Sequence, residues 1–179
     1  MASKNKVFIA TSLDGFIADK NGGIEWLDSI PEINTVDTGY NSFMAEIDAL
    51  IMGRNTFEKV LSFGIEWPYE KPVFVLSNSL SQIPKELENQ VFLINGSLNE
   101  VLKAVHSKGF TQLYIDGGAV IRSFLNENLI DEMIITTIPV LLGEGVSLFG
   151  DIQNRQMFQC KETKLFLESI VQSRFEKIK

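Results

Sequence analysis

Residues 115–121 read Ile-Asp-Gly-Gly-Ala-Val-Ile and follow the short apolar run Leu113-Tyr114-Ile115. Two adjacent glycines let the backbone turn sharply and let a flat group press against it with no Cβ in the way. The helix expected behind them presents free N–H groups and a partial positive charge to an anion. That chemistry suits a dinucleotide pyrophosphate, although the G-x-G-x-x-G fingerprint occurs nowhere in the chain. A glycine pair after a strand also serves as a plain turn, so its meaning depends on what stands beside it.

Three other segments combine strand ends with polar chemistry. In Met52-Gly53-Arg54-Asn55-Thr56-Phe57-Glu58, Gly53 ends a strand and Asn55, spaced with Glu58 as a capping box, starts a helix. Arg54 then projects at the carboxyl edge of a sheet, where open α/β sheets bind ligands and a guanidinium can take a phosphate bidentately. Thr56 adds a hydroxyl and an N–H. The plain alternative is a solvated arginine beside an ordinary helix start. Leu76-Ser77-Asn78-Ser79 is small and polar directly after another strand, suited to a ribose phosphate or to a turn. Finally, Ala10-Thr11-Ser12-Leu13-Asp14-Gly15-Phe16-Ile17-Ala18 runs on to Gly22-Gly23-Ile24-Glu25-Trp26. It reads as a strand feeding a lid that excludes water, or as a hairpin excursion fixed by Asp14-Gly15.

The elements that must position these groups alternate along most of the chain. Strands are expected at Lys6–Ser12, Ala49–Met52, Pro72–Leu76, Val91–Ile94, Leu113–Ile115 and Met133–Ile138. Helices are expected over roughly Asp37–Ile47, from Asn55, after the Ser97/Glu100 capping box, and over Ala119–Leu125. Leu98, Val101, Leu102 and Val105 share one helical face, and Gly109 stands where a helix-ending glycine belongs. After residue 140 the pattern changes to β-rich stretches at Met157–Leu167 and Ser169–Ile178, a closing antiparallel hairpin. The expectation is an α/β fold: a mostly parallel, mixed sheet of about eight strands covered by helices on both faces.

Composition bounds the rest. The 179 residues, 45% apolar, suit one domain over 1–179 that buries about 70% of its unfolded surface. No apolar run reaches the ~18 residues of a membrane span, and Val7–Ala10 is too short for a signal peptide. One cysteine, Cys160, leaves no disulfide framework and fits a reducing cytoplasm. The net charge of −7, from 16 basic and 23 acidic side chains, argues against nucleic-acid binding. An anionic ligand needs a local cation, and the arginines are Arg54, Arg122, Arg155 and Arg174. A lone histidine, His106, and a lone cysteine make a transition-metal site improbable. No nucleophile with a partnered base is visible.

Taken together and in order, Ser12-Leu13-Asp14-Gly15, Gly53-Arg54-Asn55-Thr56-Phe57-Glu58, Asp116-Gly117-Gly118 and Pro139-Val140-Leu141-Leu142-Gly143-Glu144-Gly145 resemble motifs of the dihydrofolate reductase superfamily. The resemblance is nearest to the subgroup that includes the reductase domain of the bifunctional riboflavin-pathway deaminase–reductase. It covers nearly the whole chain and implies a three-layer dihydrofolate-reductase-like fold, NADPH as cofactor, a small-molecule substrate and a homodimer. Carried over residue by residue, Arg54 with Ser77 and Asn78 would hold the 2′-phosphate and adenosine end. Thr56, Gly118, Ala119, Val120 and Ile121 would meet the pyrophosphate. Ala10, Ile17 and Ala18 would flank the nicotinamide, with Gly53, Asn55, Leu76, Asp116 and Gly117 completing the cofactor wall.

The substrate side departs from the family pattern. Dihydrofolate reductases keep a carboxylate on the first helix. Here Asp37 falls at the matching distance, either as a buried proton relay or as a helix-start aspartate favoured by the dipole. The riboflavin-pathway reductase carries a lysine where this chain has Phe8, and usually a glutamate where it has Asp116. A more apolar pocket for a flat uncharged ring follows, with Trp26, Tyr40, Phe43 and Trp67 as candidate stacking groups. The expected function is NADPH-dependent hydride transfer to a small pteridine- or pyrimidine-like heteroaromatic compound. The alternatives are 5-amino-6-(5-phosphoribosylamino)uracil reductase or dihydrofolate reductase proper, and a catalytically silent NADP-binding dimer.

Overall fold

The computed structural model describes residues 2–178. Ten strands and four α-helices follow in the order β1 (Lys4–Ser12), β2 (Phe16–Asp19), α1 (Tyr40–Ala45), β3 (Ala49–Gly53), α2 (Arg54–Ser62), β4 (Val73–Leu76), β5 (Val91–Ile94), α3 (Leu98–Ser107), β6 (Gln112–Asp116), α4 (Gly118–Asn126), β7 (Glu132–Ile138), β8 (Gly145–Ser147), β9 (Phe158–Phe166) and β10 (Ile170–Lys177). Eight strands form one sheet in the order β5-β4-β3-β6-β1-β7-β10-β9, and β2 pairs with β8 in a separate two-stranded sheet. The pairs from β5 to β7 are parallel. β10 runs antiparallel to both β7 and β9, which makes the sheet mixed.

The alternation of side chains along each strand feeds two cores. Val7, Ile51, Phe74, Leu113 and Ile115 face Val101 and Val105 of α3 and Ile121 and Phe124 of α4. Leu50, Met52, Val73, Val75 and Tyr114 face Phe43 of α1 and Phe57 of α2. Continuous apolar strands buried on both faces are what a parallel sheet between helix layers requires. The Ser97 capping box forms as the spacing predicts, with Ser97 and Glu100 exchanging hydrogen bonds. Gly109, at φ +90°, ends α3. Among the described residues, no helix is long and apolar enough to cross a membrane.

Three expectations change. The first helix does not begin at Asp37 but at Tyr40. Gly39 stands in the left-handed region at φ +82°, and the Asp37 carboxylate accepts its N–H at 2.8 Å, a turn that keeps the chain non-helical up to that point. Asn55 does not cap α2. Gly53 holds that place in extended conformation with no side-chain cap, and Asn55 lies exposed in the first turn. The segment after β1, expected as a lid or a hairpin excursion, carries a strand of its own, since residues 16–19 are β2, held against β8.

Candidate functional site

Five adjacent strands, β4, β3, β6, β1 and β7, end their parallel run at Leu76, Gly53, Asp116, Ser12 and Ile138. At about 4.8 Å per strand this edge is roughly 19 Å wide. The glycines along it are places of close approach. A Cβ on Gly53 would come to 3.2 Å from Val120 of α4. One on Gly117 would overlap Thr56 Oγ1, and Gly117 also sits at φ +85°, which L side chains rarely adopt. One on Gly118 would lie 2.7 Å from Ile17 Cδ1 and 2.9 Å from Arg122 Nη1. Gly53, Thr56, Gly117, Gly118, Val120 and Ile17 are thereby drawn into one wall.

Gly117 precedes α4, and the Ile121 N–H donates to its carbonyl at 2.9 Å. The N–H groups of Gly118, Ala119 and Val120 fall ahead of that bond and point out of the helix start. Ile121 is thus not part of this cradle: its N–H is used and its side chain is fully buried. Leu76 likewise contributes backbone only, since its side chain packs against the core.

Arg54 reaches across from α2 to the loop after β4. Its Nη1 donates to Ser79 Oγ at 3.1 Å, and its Nε lies 3.8 Å from Glu58, the residue expected to cap. Ser77 shapes that loop, its Oγ accepting the N–H groups of Ser79 (3.2 Å) and Leu80 (3.0 Å). Asn78 is exposed beside it. Ser79 belongs to the segment singled out in the sequence, but its contact with Arg54 depends on α2 and β4 lying side by side.

The two glycine-rich motifs of the lid bind each other. Asp14 accepts from Ser12 Oγ at 2.6 Å and from the N–H groups of Leu142 and Gly143, the latter at 2.8 Å. Leu13 N–H donates to Val140 O at 2.8 Å. The Ser12 hydroxyl, followed by the backbone donors, holds the Asp14 carboxyl below its ordinary range. Through this clamp, β2 and β8 lie over the start of α4, with Ile17 and Val146 against Gly118.

Asp116 is the group whose environment departs most from water. It ends β6, half-buried, and burial pushes its pKa from the ordinary 3.8 up to about 6, although Gly117 N–H donates to its Oδ1 at 2.8 Å. Tyr40, Tyr69 and Tyr114 each feel its charge. Burial, and after it Asp116, pushes Tyr40 up to about 12. Tyr114 is buried and donates its hydroxyl to the Phe8 carbonyl at 2.8 Å. Phe8 packs edge-on against Tyr40 (5.4 Å between centroids) and tilted against Phe43 (5.1 Å). Trp67 stands between Phe57 and Tyr69. Of the aromatic candidates, Tyr40 couples to Asp116 and Phe43 packs on Phe8 and Tyr114, whereas Trp67 backs Tyr69 and Trp26 lies at the far end of the lid segment. Tyr69 was not legible as a site residue. It lies in the loop between α2 and β4, with no periodic pattern to mark it.

Asp37 is exposed, outside the helix, and its carboxylate is engaged with Gly39 N–H. It lines a groove of about 360 Å³ that also takes in Phe8, Ile134, Gln172 and Arg174. The buried relay envisaged for Asp37 is not present in this arrangement, because the Gly39 turn keeps the carboxylate at the surface.

Comparison with known proteins places this geometry in context. The family model described as the RibD C-terminal domain matches residues 6–172. The Bacillus subtilis protein YwjB is 36% identical over 172 residues, covering 95% of this chain and 96% of that protein. A Shewanella sp. PV-4 protein named for riboflavin biosynthesis is 50% identical, with a TM-score of 0.94 and complete coverage of both chains. The Thermotoga maritima diaminohydroxyphosphoribosylaminopyrimidine deaminase/5-amino-6-(5-phosphoribosylamino)uracil reductase shares the fold at a TM-score of 0.73 and 16% identity, this chain matching 57% of its length.

Proposed function

The chain belongs to the RibD C-terminal domain family, and from that premise we propose that it is an NADPH-dependent reductase of a small heteroaromatic compound. The observation that carries the reading is Asp116. It is a half-buried carboxyl with a pKa of about 6, set immediately before the glycine pair and among Tyr40, Tyr69 and Tyr114.

The residues along the carboxyl edge suit the cofactor. Gly117 and Gly118 let Thr56, Ile17 and Arg122 close in where any side chain would clash, and the N–H groups of Gly118, Ala119 and Val120, with Thr56 beside them, offer donors to a pyrophosphate. Arg54, with Ser77, Asn78 and Ser79 at its side, would hold a 2′-phosphate. Ala10, Ile17 and Ala18 would border the nicotinamide. Bound NADPH supplies a hydride; the protein supplies orientation and a water-poor pocket. Asp116 is placed to hold the proton that the reduced ring must gain, since a pKa near working pH suits a general acid. Asp37, exposed at the groove, serves this reading only as a polar group at the substrate's outer end. The homodimer implied by the resemblance is part of the proposal, and sedimentation of the purified protein tests it.

The reading is tested by NADPH oxidation against a panel of pteridines, pyrimidines and quinones. Turnover of a ring compound, lost in Asp116→Asn with NADPH affinity kept, is expected. Tight NADPH binding without turnover on any compound would favour the catalytically silent dinucleotide-binding protein instead.

A further inference from the structure

Phe8 borders a groove on the side nearest β6, which ends at Asp116. Its ring packs on Tyr40, which faces Asp116, and it also lines the groove of about 360 Å³. From Phe8 the groove crosses the sheet along one register, Phe8 beside Ile134, Ile134 beside Arg174, and Arg174 beside Glu162. From β1 to β10 that is two strand steps, roughly 10 Å. A flat ring held at Asp116 would therefore carry its substituent along this groove.

The charges lining the groove decide what that substituent can be. Every cation there is already engaged. Arg174 grips Glu132 through two parallel bonds of 2.9 and 3.0 Å and also reaches Glu176 at 3.1 Å. Lys164 is bound to Glu162 at 3.3 Å, and Glu46 on the groove wall is held by Lys6 from outside it at 2.7 Å. Asp37 has no cationic partner among the described residues. The aromatic floor at Phe8 offers no donor to an anion. The groove therefore presents paired charges plus one carboxylate, Asp37, that has no cationic partner among the described residues. Gln172 ties its rim to the loop before α1, donating to Thr38 O at 3.1 Å and Thr136 Oγ1 at 2.9 Å.

We propose that this groove makes the protein a reductase of unphosphorylated ring compounds: Phe8 and the paired charges select a neutral polar tail and reject a phosphorylated one. This rests on the reductase reading above. A doubly charged phosphate near one unpaired carboxylate, partly screened by water, is disfavoured by about tenfold or more.

The test uses one compound in two forms, 5-amino-6-ribosylaminouracil with and without its 5′-phosphate. Binding of each to the NADPH-loaded protein is measured by calorimetry, with turnover followed alongside. The unphosphorylated form is expected to bind at least tenfold more tightly. Glu162→Gln, an exposed change that frees Lys164, should narrow that ratio severalfold and leave NADPH affinity unchanged. Equal or tighter binding of the phosphorylated form, or binding of neither, overturns the inference. A retained preference without any turnover sinks the reductase reading and leaves the selectivity of the groove standing.

Discussion

Replacing Asp116 by asparagine should make the protein more stable at neutral pH while it removes activity. The side chain ends β6 among Tyr40, Tyr69 and Tyr114, and burial raises its pKa from 3.8 to about 6. The folded protein thus holds this proton more tightly than the unfolded chain does. Below about pH 3 the carboxyl is neutral in the fold and largely neutral in the unfolded chain, and it costs little; by about pH 4 the cost is still only a small part of the whole. As the pH rises towards 6 the unfolded chain gains its charge first, so stability falls relative to a neutral side chain. The full rise corresponds to about 3 kcal/mol. Because the carboxyl is only half-buried and water reaches it, roughly 1–2 kcal/mol is the expected gain for Asp116→Asn at about pH 7. The amide oxygen can still accept the Gly117 N–H, so the turn is kept. Urea unfolding of wild type and variant at about pH 7 and about pH 4 gives both numbers directly. A variant no more stable than wild type at neutral pH, or a gain of the same size at both pH values, would refute the reasoning.

Three other perturbations probe the rest of the site. Arg54→Ala should weaken NADPH binding by roughly ten- to a hundredfold, the worth of one or more charge-assisted hydrogen bonds, and barely change NADH binding; calorimetric titration with each cofactor reads this. Gly117→Ala should cost about 2–4 kcal/mol from its left-handed backbone and the Thr56 overlap, and Thr56→Ala in the same chain should recover the overlap but not the strain, a coupling that a double-mutant cycle in urea measures. Asp14→Ala should release the 139–143 loop from the start of the lid, seen as faster proteolysis within residues 13–23 and 139–147 while the eight-stranded sheet stays folded by circular dichroism.

The strands of the large sheet were legible because each is a short apolar, β-branched run buried on both faces, as Ala49–Gly53 and Val73–Leu76 show. The carboxyl edge was legible for a related reason: Gly53-Arg54, Ser77 and Gly117-Gly118 follow directly on such runs, so their place is set locally. What escaped is set by distant contacts. β2 and β8 have only four and three residues, none of them fully buried, and exist because Asp14 binds Leu142 and Gly143 from far along the chain. Tyr69 is held near enough to feel the Asp116 charge by packing on Trp67, which in turn packs on Phe57 of α2. The Asp37 turn was hidden by the apolar residues that follow it, which read as helix before Gly39 is known to be left-handed. The charge pairs of the groove needed the register of β10 on β7, which no local pattern specifies.

A cleft for a 2′-phosphorylated nicotinamide dinucleotide along the carboxyl edge requires a preference that calorimetric titration of the wild-type protein with NADPH and with NADH reads. Saturable binding of one NADPH per chain, at least tenfold tighter than NADH, is the predicted result. Binding of neither cofactor, or equal affinity for both, would contradict it.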